Sequence, residues 1–338
     1  MNKTNRAVTA WALAASIVLP CAAATPKQSY NPDATPQRQE LRQLSGFAKS
    51  AAPASRKTMR VRQAAPAEWN GRKFKGALIM SNAWAEMSIT EIPYGIYDFT
   101  VGESITSTPL YTQMVGDWMS GAPYRGSFYG IRNVNMFGTL TGSVNEVIDL
   151  TSYTQTHQFF GPAEYSVLPS CMAYDFVDGE IYGAFYNDDL SGLNWVKYDT
   201  KTLQPDIVCS FRNRFNVLAM AAAPDGNLYA INTDGDLYTL DRKTSRASLV
   251  GFTGVNVAAY TQSMTWDPQS NTLLWAAITP TGSALYSLDP VNLSSTLIKR
   301  FADNEQIASL WIDTDTPMAG APAAPQLAWN FSPPGAYD

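Results

Sequence analysis

The sequence predicts an all-β fold, a β-propeller most simply built of five four-stranded blades, with six the alternative if one degenerate unit is hidden. Three observations predict it. An aromatic flanked by apolar and small residues recurs at Phe128-Tyr129-Gly130, Ile181-Tyr182-Gly183, Leu228-Tyr229-Ala230 and Leu274-Trp275-Ala276, its aromatics 53, 47 and 46 residues apart. Around the last three copies the other strands of a unit repeat in fixed order. A run through Met172-Ala-Tyr-Asp175, Met220-Ala-Ala-Ala223 or Met264-Thr-Trp-Asp267 comes before, a run ending at Asp199, Asp241 or Asp289 comes after, and a last run ends at Phe211, Phe252 or Phe301. Finally, Ser309–Asp313 matches the first strand of a unit with no second strand behind it.

In chain order, Met1–Ala24 reads as a signal peptide. Lys3 and Arg6 form its charged start, Ala7–Pro20 its apolar stretch, and Ala22-Ala23-Ala24 its small-residue cleavage site. Cys21 offers a lipid anchor as the alternative, but Pro20 departs from the small residue that motif wants before its cysteine. No later apolar run reaches the roughly 18 residues of a membrane span. The expectation is therefore an exported protein, secreted or at the outer surface.

Residues 25–75 hold 11 Lys and Arg against three acids, a net +8, and few bulky apolar side chains. They are expected to form a solvated basic arm, with a short helix starting at Thr35-Pro36. Residues 76–315 are the propeller. Within 76–338 there are 11 basic and 26 acidic residues, so a net −15 body follows the arm. Asp178-Gly179, Asp225-Gly226 and Asp234-Gly235 supply tight turns between strands. Gly76–Ser81, Gly95–Phe99 and Ile105–Gln113 match second, third and fourth strands with no first, so the orphan strand at Ser309–Asp313 is expected to complete that blade and close the ring. The other units span about 114–163, 165–211, 213–252 and 258–301, and in the first of these Met114 and Met119 compete for the innermost strand.

This Asp/Gly- and Tyr-marked repeat resembles bacterial YVTN- and Kelch-type propellers, a resemblance that implies the fold more than any activity. Residues 316–338 are a Pro/Ala/Gly linker whose Ala324–Trp329 looks like the opening strand of a fibronectin type III module. That likeness implies further domains in a longer parent chain.

The overall balance of 24 basic and 29 acidic residues argues against a nucleic-acid binder, which needs a cationic surface. One histidine rules out a multi-His metal site and three cysteines rule out a four-cysteine zinc cluster. No serine-nucleophile elbow, Walker loop, dinucleotide fingerprint or His-Glu-x-x-His helix occurs. No cofactor is expected.

Asp175, Asp267 and Asp313 end equivalent innermost strands, and Asp117 is a further candidate. They either cap the turn into the next strand or form a carboxylate ring able to bind Ca²⁺. The face from which the innermost strands start carries Trp84, Tyr165, Arg212, Arg214, Tyr260 and Gln262, a set suited to a glycan or protein ligand. Arg132 and Asp189 belong to the same face. A non-catalytic binding module is the leading expectation. A polysaccharide hydrolase working through Asp188, Glu305 and Glu164, which needs carboxylates roughly 5–9.5 Å apart, is the alternative, and a structural spacer the third. His157 falls on an outer strand. Cys171 and Cys209 fall three strand spacings of about 4.8 Å apart. That exceeds the roughly 7 Å a disulfide spans between Cα atoms, so both are expected as free, buried thiols.

Overall fold

The computed structural model describes residues 56–64, 66–80, 94–113, 117–136, 139–211, 215–258, 262–302 and 305–312. The leader with Cys21, the expected arm helix and the fibronectin-like tail lie outside them, as do Trp84, Arg212, Arg214, Tyr260 and Asp313.

Short runs of β-branched and aromatic residues between Asp/Gly turns form strands because alternate side chains can be buried on both faces of each sheet. Strand β1 (Arg60–Gln63) and a four-residue helix, α1 (Pro66–Trp69), precede the ring. Blade 1 takes β2 (Lys73–Met80), β3 (Tyr94–Val101) and β4 (Ile105–Gln113). Blade 2 is β5 (Asp117–Tyr124), β6 (Ser127–Met136), β7 (Thr139–Asp149) and β8 (Thr154–Gly161). Blade 3 is β9 (Pro169–Asp175), β10 (Glu180–Tyr186), β11 (Leu193–Asp199) and β12 (Gln204–Ser210). Blade 4 is β13 (Val217–Ala222), β14 (Leu228–Asn232), β15 (Asp236–Leu240) and β16 (Ala247–Phe252). Blade 5 is β17 (Ser263–Asp267), β18 (Thr272–Thr279), β19 (Gly282–Asp289) and β20 (Ser294–Arg300).

The last strand, β21 (Gln306–Trp311), pairs antiparallel with β2, Gly76 opposite Leu310, and becomes the innermost strand of blade 1. The propeller therefore has five blades and closes as the sequence repeat requires. Asp117 opens β5 and does not end it, so it is not equivalent to Asp175.

Each blade buries large rings between itself and its neighbours. Trp118, Trp195, Trp275, Tyr97, Phe99 and Phe128 are among the fully buried side chains. Tyr182 stacks on Trp195 at 5.0 Å, and Phe128 on Trp311 of the closing strand at 5.2 Å. Burying such a side chain is worth about 1.5–3 kcal/mol.

Two regularities of the repeat appear only in three dimensions. Every pairing of third and fourth strands slips register once, at Ile96/Tyr97, Val147/Ile148, Trp195/Val196, Leu237/Tyr238 and Leu285/Tyr286. A bulge there adds twist to each outer strand. The aspartate ending the third strand accepts backbone N–H groups two and three residues on, as with Asp149 to Thr151 and Ser152, and Asp241 to Lys243 and Thr244. Four residues after the aspartate the chain turns left-handed, at Tyr153, Leu203, Ser245 and Leu293.

Residues 56–75 depart from the expected solvated arm, because they lie against the body. Thr58 bridges Phe252, and β1 pairs parallel with β20 as a fifth strand of blade 5. Met59 and Trp69 are buried. Arg56 stacks 3.7 Å above the Phe252 ring and pairs with Asp236 at 2.8 Å, while Arg62 Nε donates to Thr296 Oγ1. Basic residues of the arm thus meet the acidic body directly.

Cys171 and Cys209 lie on the innermost and outermost strands of blade 3 and are free. Cys171 is buried, and burial pushes its thiol pKa up. Cys209 is only half-buried, against the expectation, and its Sγ lies 3.3 Å from Ser245 Oγ.

The turn hydrogen bonds hold the carboxyls of Asp149, Asp199 and Asp241 below the ordinary value of 3.8. A depressed folded pKa contributes stability that is complete above the unfolded value and lost as pH falls through the folded one. The urea midpoint should therefore decline below about pH 4, and the triple variant D149N/D199N/D241N should show a flatter acid limb than the native chain. Equal limbs would show that these turns are not the acid-sensitive groups.

Candidate functional site

The innermost strands β5, β9, β13, β17 and β21 line the axis and are rich in Gly, Ala and Ser. Serine hydroxyls lace them together. Ser120 donates to Ala308 O at 3.2 Å, Ser170 to Val217 O at 2.6 Å, Ser263 to Ile307 O at 3.0 Å and Ser309 to Gly121 O at 2.8 Å. The Met172 N–H returns a bond to Ser120 Oγ at 2.8 Å. Such approach needs small residues. A Cβ on Gly121 would sit 2.4 Å from the Phe128 ring.

Where these strands end, they enclose an axial cavity of about 300 Å³. Gly121, Ala122, Ala173, Ala221 and Ala222 form much of its wall, with Met172 and Met264 beside them. Tyr124, Tyr174, Phe176 and Trp266 add an aromatic margin. The Tyr124 and Tyr174 rings meet at 5.2 Å, and Arg125 Cζ lies 5.0 Å from the Tyr124 ring. Burial holds the Tyr174 phenol above its ordinary pKa, so it stays a neutral donor. The lining contains no Asp or Glu among the described residues, and Arg125 is its one charged side chain.

Asp175 and Asp267, at the ends of two of these strands, act as turn caps. Val177 N–H donates to Asp175 Oδ1 at 2.9 Å, and Gln269 N–H to Asp267 Oδ1 at 3.1 Å. Each carboxylate is also held by an arginine of the following blade. Arg242 Nε reaches Asp175 Oδ2 and Arg72 Nη2 reaches Asp267 Oδ2, both at 2.5 Å. Trp69 supports Arg72 from 4.1 Å, and Arg242 O accepts the Trp195 indole N–H across the same boundary at 2.8 Å. Both carboxylates are thereby committed within the protein, contrary to the reading in which they ring the channel as ion ligands. No group of three or more His, Cys, Asp or Glu side chains placed to hold a metal occurs among the described residues.

The described residues among those expected at the opposite face do not line the cavity. Glu164 is exposed at the start of the 3-10 turn Tyr165–Val167, and Asp188 accepts the Ser166 N–H at 3.1 Å, so one loop brings these two segments together. Tyr165 is half-buried against the core of blade 3. Glu305 is 1% exposed. Gln262 is fully buried, its amide donating to Ala258 O at 2.8 Å and accepting the Trp275 indole N–H at 2.9 Å. It is therefore a strut for Trp275 and does not present its amide to a ligand. Arg132 is buried too. Its Nε pairs with Glu146 at 2.9 Å, and Tyr111 of blade 1 donates to the same carboxylate at 2.7 Å. His157 is exposed on outer strand β8, where its register placed it.

The cavity aromatics escaped the sequence reading, although a signal existed. Tyr174 and Trp266 precede the aspartate in the innermost-strand motif, and both are half-exposed on otherwise largely buried strands.

No family model and no curated protein matches the chain. Among solved structures, it is similar to one from a nidogen/laminin complex at 10% identity and TM-score 0.42, covering 70% of this chain and 96% of that one. It is similar to TolB from Acinetobacter baumannii at 10% identity and TM-score 0.42, covering 72% and 67%. A streptogramin B lyase matches at 9% identity and TM-score 0.34, covering 62% and 63%. At such distances none assigns a function to this chain.

The two arginine–aspartate ties set a test of how the blades are held. R242Q leaves the Asp175 charge buried without its counterion and should lower unfolding free energy by about 2–4 kcal/mol, whereas D175N, which leaves the partly exposed Arg242 beside Asp178 at 3.8 Å, should cost less. The double variant R242Q/D175N should cost less than the sum, as read from urea denaturation. Additive costs would mean that the pair does not couple the blades.

Proposed function

We propose that this chain is a non-catalytic, exported binding module that takes a glycan unit into its axial cavity. The observation carrying this reading is the cavity itself, with small residues in the wall and aromatic rings at the margin. Aromatic planes stack on the apolar face of a sugar, and a pocket of this size accepts about one ring. The leader at Met1–Ala24 supports export, and the Ala324–Trp329 likeness supports presentation beside further domains.

Hydrolysis of a polysaccharide needs two carboxylates roughly 5–9.5 Å apart around the scissile bond. Among the described residues the cavity lining offers neither, which favours binding without cleavage. A passive spacer has no use for a cavity of about 300 Å³ margined by four aromatic residues.

A glycan array probed with the full chain tests this directly. W266A and Y174A should each weaken the strongest hit about tenfold while shifting the urea midpoint little, since both side chains are half-exposed. A hit that survives both substitutions unchanged would move the site elsewhere on the ring. Absence of any hit at high micromolar chain would overturn the reading.

A further inference from the structure

Residues 76–338 carry 26 acids against 11 bases, yet among the described residues the cavity lining contains no carboxylate and one arginine. The described acids that repeat at the ends of the innermost strands, Asp175 and Asp267, are paired with Arg242 and Arg72. Among the described residues, this acidic body thus lines the cavity with a cation and no carboxylate.

The backbone adds an independent observation. Arg125 occupies the turn between the first and second strands of blade 2, in the left-handed region at φ 48°, followed by Gly126 at φ 76°. The turns of blades 3, 4 and 5 carry one left-handed residue each, Gly179, Gly226 and Asn271, whose counterpart in blade 2 is Gly126, so Arg125 is an additional left-handed residue. Glycine and asparagine adopt that conformation at little cost, whereas a long side chain is strained by roughly 1–2 kcal/mol. The strain persists at a position where the guanidinium leans on Tyr124 and lines the cavity.

We propose that the cavity selects an anionic ligand, a carboxylate carried on a ring-shaped body such as an acidic sugar, with Arg125 as its charge partner. The proposal rests on the cavity being the binding site. Arg125 offers a planar fork that fits a carboxylate through two N–H donors. Tyr174 and Trp266 supply planes for the ring, and the Tyr174 phenol is available as a further donor.

Matched pairs of probes test it on the full chain by ligand-detected NMR titration: methyl galacturonoside against methyl galactoside, and benzoate against benzamide. The acid of at least one pair should bind fivefold or more tightly than its neutral partner, about 1 kcal/mol of preference. That preference should shrink as NaCl rises from about 20 to about 500 mM. In R125N the preference should vanish, and the Tm should rise by about 1–2 °C as backbone strain is relieved. Preference in the sugar pair identifies an acidic glycan, and preference in the benzoate pair alone identifies a carboxylate without the sugar. Equal affinities within both pairs, or a preference that survives R125N with a lowered Tm, would overturn anion selection while leaving the cavity as a binding site. If neither member of either pair binds, the cavity reading falls with it.

Discussion

Five strands crowding one axis is the constraint from which the rest of this structure follows. The innermost strands approach closely enough for serine hydroxyls to bond carbonyls of the next blade directly, Ser120 to Ala308 and Ser309 to Gly121 among them. Only small side chains tolerate that spacing, which is why Ala219, Ala221, Ala222, Ala223 and Ala308 sit almost wholly buried there. Away from the axis the blades diverge and the gaps between them widen. Large rings fill those gaps, which is where Trp195, Trp275 and Tyr97 lie. The recurrence of one aromatic per repeat is thus the outward complement of small residues at the centre.

Stacked blades are held mostly by non-directional burial, so specific polar ties set their register around the ring. The Asp175–Arg242 and Asp267–Arg72 pairs solve the same problem from different chain positions. One arginine comes from a turn between third and fourth strands, the other from the lead-in to β2. The Tyr111–Glu146–Arg132 group ties blades 1 and 2 by a third route. Ring closure by β21 then makes the first and last parts of the body interdependent, and β1 extends that logic by covering the edge of blade 5. Other edges are guarded differently: β12 carries Pro205 and Asp206, and β4 carries Pro109, residues that discourage strand addition. Strand β8 has no proline and no charge, and Phe160 stands 71% exposed on it.

Blade number and the composite closing blade were legible because a propeller repeats its strand order, and an orphan strand at one end must match a gap at the other. Met172, Met220 and Met264 marked innermost strands correctly for the same reason. The docking of residues 56–75 was not legible, since four residues of strand and a four-residue helix carry too little periodicity to outweigh their basic composition. What holds them is tertiary: Met59 in a core groove, Arg56 on Phe252 and Asp236. Gln262 read as a ligand contact because polar residues near turns usually face water. Its burial depends on the Trp275 indole needing an acceptor, a need visible only once the two strands are paired. Glu146 was hidden for a related reason, lying with Asn145 between the apolar residues of Val144–Ile148, with partners 14 and 35 residues away.

The same repetition that reveals a fold obscures a site, because binding residues are those that break it. Asp175 and Asp267 recur, and each is consumed by the architecture that makes it recur. Arg125 recurs nowhere: the turns between first and second strands in blades 3, 4 and 5 have one left-handed residue, where blade 2 has Arg125 and Gly126. In a body this acidic, a cation at the mouth of a cavity lined by no carboxylate among the described residues also acts over about one Debye length, roughly 8–10 Å at physiological salt. That reach exceeds the 5.0 Å between Arg125 and the Tyr124 ring, so charge acts on a ligand alongside stacking. Selectivity would then arise from an exception to the repeat, and stability from the repeat itself.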